Sequence, residues 1–151
     1  MLELARKEDF EAINSIAKQV HDLHVSWRPD LYCRIEQPIP VALFTECIRN
    51  KTLFVAKLSG SVVGIVRFEI RTVGGEGSTT RKVMRIDNIA VEESLRNHGI
   101  GKAMVEDIRA LAKVNRCDEI ILSVYPENDD AVAFYQKCGF TIRNIGMQMK
   151  L

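Results

Sequence analysis

At 151 residues the chain has the size of one ordinary domain, and 46% hydrophobic with 27% charged residues is a globular composition rather than a disordered or fibrous one. Twenty-one Lys and Arg against twenty Asp and Glu leave a formal charge of +1, which gives no polybasic face for nucleic acid. No apolar run is long enough for a membrane span, and the charged start Glu3, Arg6, Lys7, Glu8, Asp9 is unlike a signal peptide, so a cytoplasmic protein is expected.

Leu2 to Ala5 reads as a short strand. A helix follows from about Lys7, with Phe10, Ile13, Ile16, Ala17, Val20 and Leu23 on one face. His21 and His24 near its end suit charge complementation of the helix C-terminus or partial burial, and zinc would need more ligands than these two. From Val25 to Pro40 periodicity is lost, and the connector carries Trp27, Arg28 and Tyr32. Val41, Phe44, Cys47 and Ile48 mark a second helix. Leu53–Leu58 and Val62–Arg71 read as a hairpin turned at Ser59-Gly60-Ser61, and Gly74 to Thr80 as a flexible loop.

Val83 to Val91 is rich in β-branched residues and reads as a strand. Beyond it Ala103, Met104, Ile108, Leu111 and Ala112 recur at helical spacing. Between the two lies Arg96-Asn97-His98-Gly99-Ile100-Gly101-Lys102-Ala103. Glycines permit positive φ, the first helical turn leaves amides unpartnered, and Arg96, His98 and Lys102 add charge, so the stretch is a candidate anion site. A tight turn with no ligand is the plainer reading. A Walker A loop fails on spacing and on Ala103, where a hydroxyl is required, and a dinucleotide fingerprint fails at Met104.

Asp118 to Val124 reads as a strand buried on both faces and, being reached by a helical crossover, as parallel to the strand ending at Val91. After Pro126, Asn128 or Asp129 can cap a helix that Gly139 ends, and Phe140 to Leu151 reads as a final strand pair. The fold class is therefore α/β with a mixed sheet: antiparallel strands first, a central parallel pair, and helices on both faces, in one domain over residues 1–151. Cys33, Cys47, Cys117 and Cys138 are widely spaced and are expected to be reduced and mostly buried, with no metal site.

The loop Arg96-Asn97-His98-Gly99-Ile100-Gly101 resembles the Arg/Gln-x-x-Gly-x-Gly/Ala loop with which the GNAT superfamily of acetyltransferases holds the pyrophosphate of acetyl-CoA. Ile89-Ala90-Val91 and the segment from Asn128 to Phe140 resemble that family's neighbouring motifs, while the first eighty residues resemble it only in the order of elements. The resemblance implies an N-acetyltransferase binding acetyl-CoA. Ile89, Ala90 and Val91 would lie along the pantetheine arm, residues Arg96 to Ala103 on the phosphates, and Asn128 near the arm. Tyr135 would protonate the departing thiolate. The family's usual glutamates would fall near Arg85 and Ser123, which leaves Asp87 as the candidate base, with Glu69 in reserve. Trp27, Arg28 and Tyr32 become candidates for acceptor contact. A small amine, a protein N-terminus or a lysine would each serve as acceptor; an acyl-CoA sensor without turnover is the rival reading, and the final strand offers a surface for a homodimer.

Overall fold

The computed structural model describes residues 1–151. Its elements in chain order are β1 (Leu2–Leu4), α1 (Phe10–Trp27), α2 (Val41–Asn50), β2 (Leu53–Leu58), β3 (Ser61–Gly75), β4 (Ser78–Val91), α3 (Ile100–Val114), β5 (Glu119–Ile121) and α4 (Asp129–Lys137). The five strands form one sheet in the order β1-β2-β3-β4-β5, antiparallel throughout except for the parallel pair β4 and β5. The sheet is mixed as expected, but its parallel pair stands at the edge and not at the centre, because no strand follows β5 in the order. No helix is long and apolar enough to cross a membrane.

Two apolar layers sandwich the sheet. On one face Ile13, Ile16 and Ala17 of α1 and Phe44 and Cys47 of α2 pack on Leu53, Val55 and Ile65. On the other, Ile100, Met104, Ile108 and Ala112 of α3 pack on Ala56, Val66, Phe68, Met84 and Ile86. The alternation that strands require should put every even residue of β4 on one face. It does so for Met84 and Ile86, but Ala90 belongs to the opposite layer. The cause is a register shift: Arg67 pairs with Asn88 and Phe68 with Ile86, so Asp87 has no residue opposite it. An extra residue in one strand bends that strand and re-aims the side chains beyond the bend.

The same bend explains why β5 is short. Pairing of β4 with β5 stops at Arg85 and Ile121, whereas β4 itself runs on to Val91. The strand expected over Asp118 to Val124, buried on both faces, is therefore only Glu119–Ile121 and half-buried, because past Asp87 its neighbour has turned away. A wedge opens between the two chains.

Four further expectations change. The glycine-rich stretch 74–80 is no flexible loop: β3 and β4 extend to Gly75 and from Ser78, joined across Glu76-Gly77, because Val73, Thr79 and Thr80 favour strand more than the glycines oppose it. Helix α1 continues to Trp27, so the irregular connector starts at Arg28. Of the four free cysteines only Cys47 is buried; Cys33 is exposed and the other two lie between. The final strand pair is absent, since Thr141 to Leu151 has no partner strand in its own chain.

Candidate active site

The wedge between β4 and β5 is a cavity of about 430 Å³. Ile86 to Ala90 of β4 form one wall and Leu122 to Tyr125 the other; Ala17, Val20 and His24 of α1, Tyr32 of the connector, and Asn128, Ala131 and Tyr135 close it. Ile89 to Val91 have no strand partner on the side that faces it, so their backbone groups there are open to a ligand that runs alongside, except the Val91 carbonyl, which Arg96 engages.

Beyond the end of β4 stands the loop that opens α3, none of whose residues lines the cavity itself. Asn97 and Gly99 both hold positive φ, +65° and +83°, and the α3 helix begins at the next residue. From Asn97 to Lys102 no amide N–H finds a backbone acceptor; the first that does is Ala103, which donates to the Gly99 carbonyl at 3.1 Å. Consecutive unpartnered amides at a helix N-terminus, with left-handed residues interspersed, form a concave anion receptor. Arg96 is tied back through Nε to the Val91 carbonyl at 3.2 Å, and His98 Nδ1 donates to the Arg96 carbonyl at 2.8 Å. Lys102 is exposed, and Ile100 turns inward to the core, so only the backbone of Ile100 can meet a ligand. The two glycines have different causes. A Cβ at Gly99 would meet nothing within 4 Å, so that position needs glycine for its φ; a Cβ at Gly101 would meet Phe134 Cζ at 3.2 Å, so that position lets α4 approach α3.

Asn128 lines the cavity and caps α4, its Oδ1 accepting from the Ala131 amide at 3.2 Å. Tyr135, about two turns on, packs between Phe134 and Phe140 with ring centroids 5.3 and 5.6 Å away. Burial, with a smaller contribution from Cys138, pushes its phenol up to about 12, so it stays protonated at neutral pH. Asp87 reaches the cavity but is engaged by Arg85 Nη2 at 2.8 Å and Arg67 Nη1 at 3.2 Å. The Arg67 contact is not aligned as a hydrogen bond, which leaves the buried Oδ2 an open acceptor.

Of the three connector candidates, Tyr32 alone lines the cavity. Arg28 is clamped to Asp30 by two hydrogen bonds at 2.9 and 2.8 Å and lies over the Tyr125 ring at 5.9 Å. That clamp holds the Asp30 carboxyl well below the usual carboxylate range and raises Arg28. Trp27 packs beside His24, centroids 5.8 Å apart. Two side chains outside the sequence motifs complete the wall. Tyr125 shares a 2.8 Å hydrogen bond between hydroxyls with Tyr32, and His24 stacks at 5.3 Å on Tyr32 and 5.7 Å from Tyr125. The Tyr125 bond, then burial, raises Tyr32. Burial first, and repulsion from His21 second, lowers His24 below 6.5 and keeps its imidazole neutral at pH 7. Nothing local marks Tyr125, and only its spacing from His21 marks His24. No group of three His, Cys, Asp or Glu residues is placed to hold a metal ion.

A mixed sheet split along its parallel pair, with a run of amides free of backbone acceptors just past the strand that lines the split, is an α/β architecture suited to an extended anionic ligand. The sequence matches the Acetyltransferase (GNAT) family over residues 17–140, and the chain belongs to that family. It is 26% identical to the L-amino acid N-acetyltransferase AaaT of Escherichia coli over 97% of the chain and 86% of that protein. It is 27% identical to the glucosamine 6-phosphate N-acetyltransferase of Trypanosoma brucei brucei, and the match spans 66% of the chain and 64% of the relative. A match to the uncharacterized N-acetyltransferase YvbK of Bacillus subtilis, 39% identical, spans 44% of the chain and 43% of that protein. Among solved structures, the F44R mutant of BH1408 from Bacillus halodurans superposes on 100% of the chain and 99% of its own at TM-score 0.95 and 25% identity. The aminoglycoside N-acetyltransferase AAC(6')-Iy in complex with CoA shares the fold, with 100% of both chains covered, TM-score 0.70 and 19% identity.

Proposed function

We propose that the chain is an acetyl-CoA-dependent N-acetyltransferase, cytoplasmic and with its thiols reduced, that acetylates the primary amine of a small molecule by direct attack with both substrates bound. The observation that carries this reading is the run of amides from Asn97 to Lys102 without backbone acceptors, set at the end of an unpaired strand edge. Acetyl-CoA, when bound, supplies the acetyl group as a thioester. The loop amides, with Lys102, would hold its diphosphate; the open edge of Ile89 to Val91 would bond the amides of its arm; Asn128 and Tyr135 would meet the arm from the α4 side.

The acceptor enters from the connector side, past His24, Tyr32 and Tyr125. An alkylammonium has a pKa near ~10 and must lose a proton before it attacks. His24 is the group placed to take it, since its imidazole lines the cavity and is neutral at pH 7. Asp87 is the second reading, favoured by the open acceptor on Oδ2. Tyr135 lines the cavity and would face the sulfur as it departs. Full proton transfer from a phenol at about 12 to a thiolate of pKa ~8.5 is uphill by about 3.5 units, or ~5 kcal/mol, so Tyr135 acts as a hydrogen-bond donor that stabilises the developing charge. Relatives named for glucosamine 6-phosphate, L-amino acids and spermine or spermidine favour a small acceptor over a protein terminus or lysine.

A thermal-shift comparison of CoA, acetyl-CoA, ATP and NAD tests the cofactor, because a ligand bound only by the folded state raises its melting point. CoA and acetyl-CoA should stabilise the chain. Stabilisation by ATP or NAD alone would remove the proposal, and tight CoA binding without turnover of any amine would favour a sensor.

A further inference from the structure

Gln19 is a half-buried amide on α1, the helix that lines the cavity with Ala17, Val20 and His24. Its Nε2 donates to both carboxylate oxygens of Glu92, at 2.9 and 2.8 Å, and its Oε1 accepts from the Glu93 amide at 2.8 Å. A primary amide carries donors on one atom and an acceptor on the other, so one side chain meets the opposite needs of two consecutive residues, and the charge on Glu92 strengthens its share. Glu92 and Glu93 form the corner at which β4 ends and the chain turns toward the glycine loop. The Glu92 amide ties that corner to β3 by donating to the Val63 carbonyl at 2.9 Å, and the Leu95 amide closes it on itself by donating to the Glu92 carbonyl at 2.9 Å. To α1 the corner is tied by Gln19 and by no other hydrogen bond.

The loop beyond the corner has few bonds of its own. Its amides from Asn97 to Lys102 find no backbone acceptors, so the direction in which they point is inherited from α3 on one side and from the corner on the other. Five residues along α1 from Gln19, about 7 Å of helix, stands His24, on the side of the cavity proposed for the acceptor. We infer that Gln19 is a positioning residue: through Glu92 and Glu93 it sets the run of free amides against the α1 wall, and so fixes where the diphosphate of acetyl-CoA rests relative to the acceptor. The inference rests on the acetyl-CoA reading proposed above. Gln19 itself lines no part of the cavity, so it acts on the substrates only through the pose of the loop, where a small misplacement is costly.

Isothermal titration of the full chain with CoA, well below its melting temperature, reads the effect without needing an acceptor. Gln19→Ala, which removes all three bonds, should weaken CoA at least about fivefold in Kd while the binding stoichiometry stays that of the wild type. A merely structural bond would instead lower the melting temperature and the stoichiometry, and leave the Kd of the folded fraction in place. Gln19→Glu sets a second carboxylate against Glu92 and should weaken CoA at least as much. The exchanged pair Q19E/E92Q matches donor to acceptor again with the roles reversed, and should return Kd to within about twofold of the wild type. A smaller loss than about fivefold in Gln19→Ala overturns the inference, as does an exchanged pair that binds no better than Gln19→Glu. If Gln19→Glu fails to fold, Gln19→Ala against the wild type decides. A wild type that does not bind CoA removes the acetyl-CoA reading and this inference with it, whereas a wild type and a Gln19→Ala variant that bind CoA equally well remove this inference alone.

Discussion

Asn14 is a buried amide, 4% exposed, that ties the connector to α1. Its Nδ2 donates to the Ile39 carbonyl at 3.0 Å and to the Phe10 carbonyl at 3.3 Å, and its Oδ1 accepts from the Ile39 amide at 3.0 Å. Ile39 is itself 1% exposed, so Asn14→Ala strands two buried backbone groups away from water. Each unsatisfied group costs about 1–3 kcal/mol, which sums to about 2–6 kcal/mol, with the lower end applying if water enters the space vacated. For a chain of this size each kcal/mol moves the melting temperature by about 2–4 °C, so a loss near 3 kcal/mol predicts a fall of about 6–12 °C. Urea unfolding followed by circular dichroism measures it, and an unchanged m-value would confirm that stability alone has moved. Because Tyr32 sits on the same connector, the acceptor KM should rise in Asn14→Ala while stabilisation by CoA, bound at the other end of the cavity, is retained. A loss under about 0.5 kcal/mol would refute the reasoning, since it would mean that the connector is held by something other than this amide.

His24 controls two pH dependences. Its folded-state value lies below 6.5, so the unfolded chain binds the proton more tightly; its contribution to stability is complete above pH 6.5 and is lost as pH falls toward the folded value, and His24→Gln should flatten that part of a stability profile. If it is the base, the acid limb of kcat/KM should lie below pH 6.5 and vanish in His24→Gln, whereas a limb that survives there and disappears in Asp87→Asn would transfer the role to Asp87. Tyr135→Phe should lower kcat by about 10²-fold or more with little change in affinity for CoA, and unchanged turnover would remove Tyr135 from the chemistry. Gly99→Val, at φ +83° with open space around its Cβ, should cost about 1–2 kcal/mol of stability from backbone strain yet abolish the thermal shift with CoA; a retained shift would mean the loop conformation is not what binds.

Asp87 shows why a candidate read from a strand can change character once folded. In sequence it is the nearest carboxylate to the glycine loop on the strand before it. In space it is the unpaired residue of a register shift, held between two guanidinium groups, and its larger effect is to turn β4 away from β5. The cavity exists because of that turn. His24 and Tyr125 lie 101 positions apart, on a helix end and an irregular segment, and they face each other only because the sheet has opened between them.

Local chemistry was enough to place the four helices and most of the strands, though not the bounds of β3, β4 and β5 or the state of the last eleven residues, and with them the hairpin at Ser59-Gly60, the cap at Asn128 and the glycine loop, because each depends on neighbours a few residues away: periodicity, positive φ, a side-chain oxygen near a free amide. It was also enough for the sense of pairing from β2 to β5, since short turns force antiparallel neighbours and a helical crossover forces a parallel one, but not for the place of β1 or for the parallel pair's position at the edge. Three things waited on the tertiary structure: how far β5 stays paired, which side chains meet across the wedge, and whether the final apolar alternation finds a strand within its own chain. Each is decided by contacts between residues distant in sequence, and in the last case alternation gives the residues a strand's pattern without saying what pairs with them.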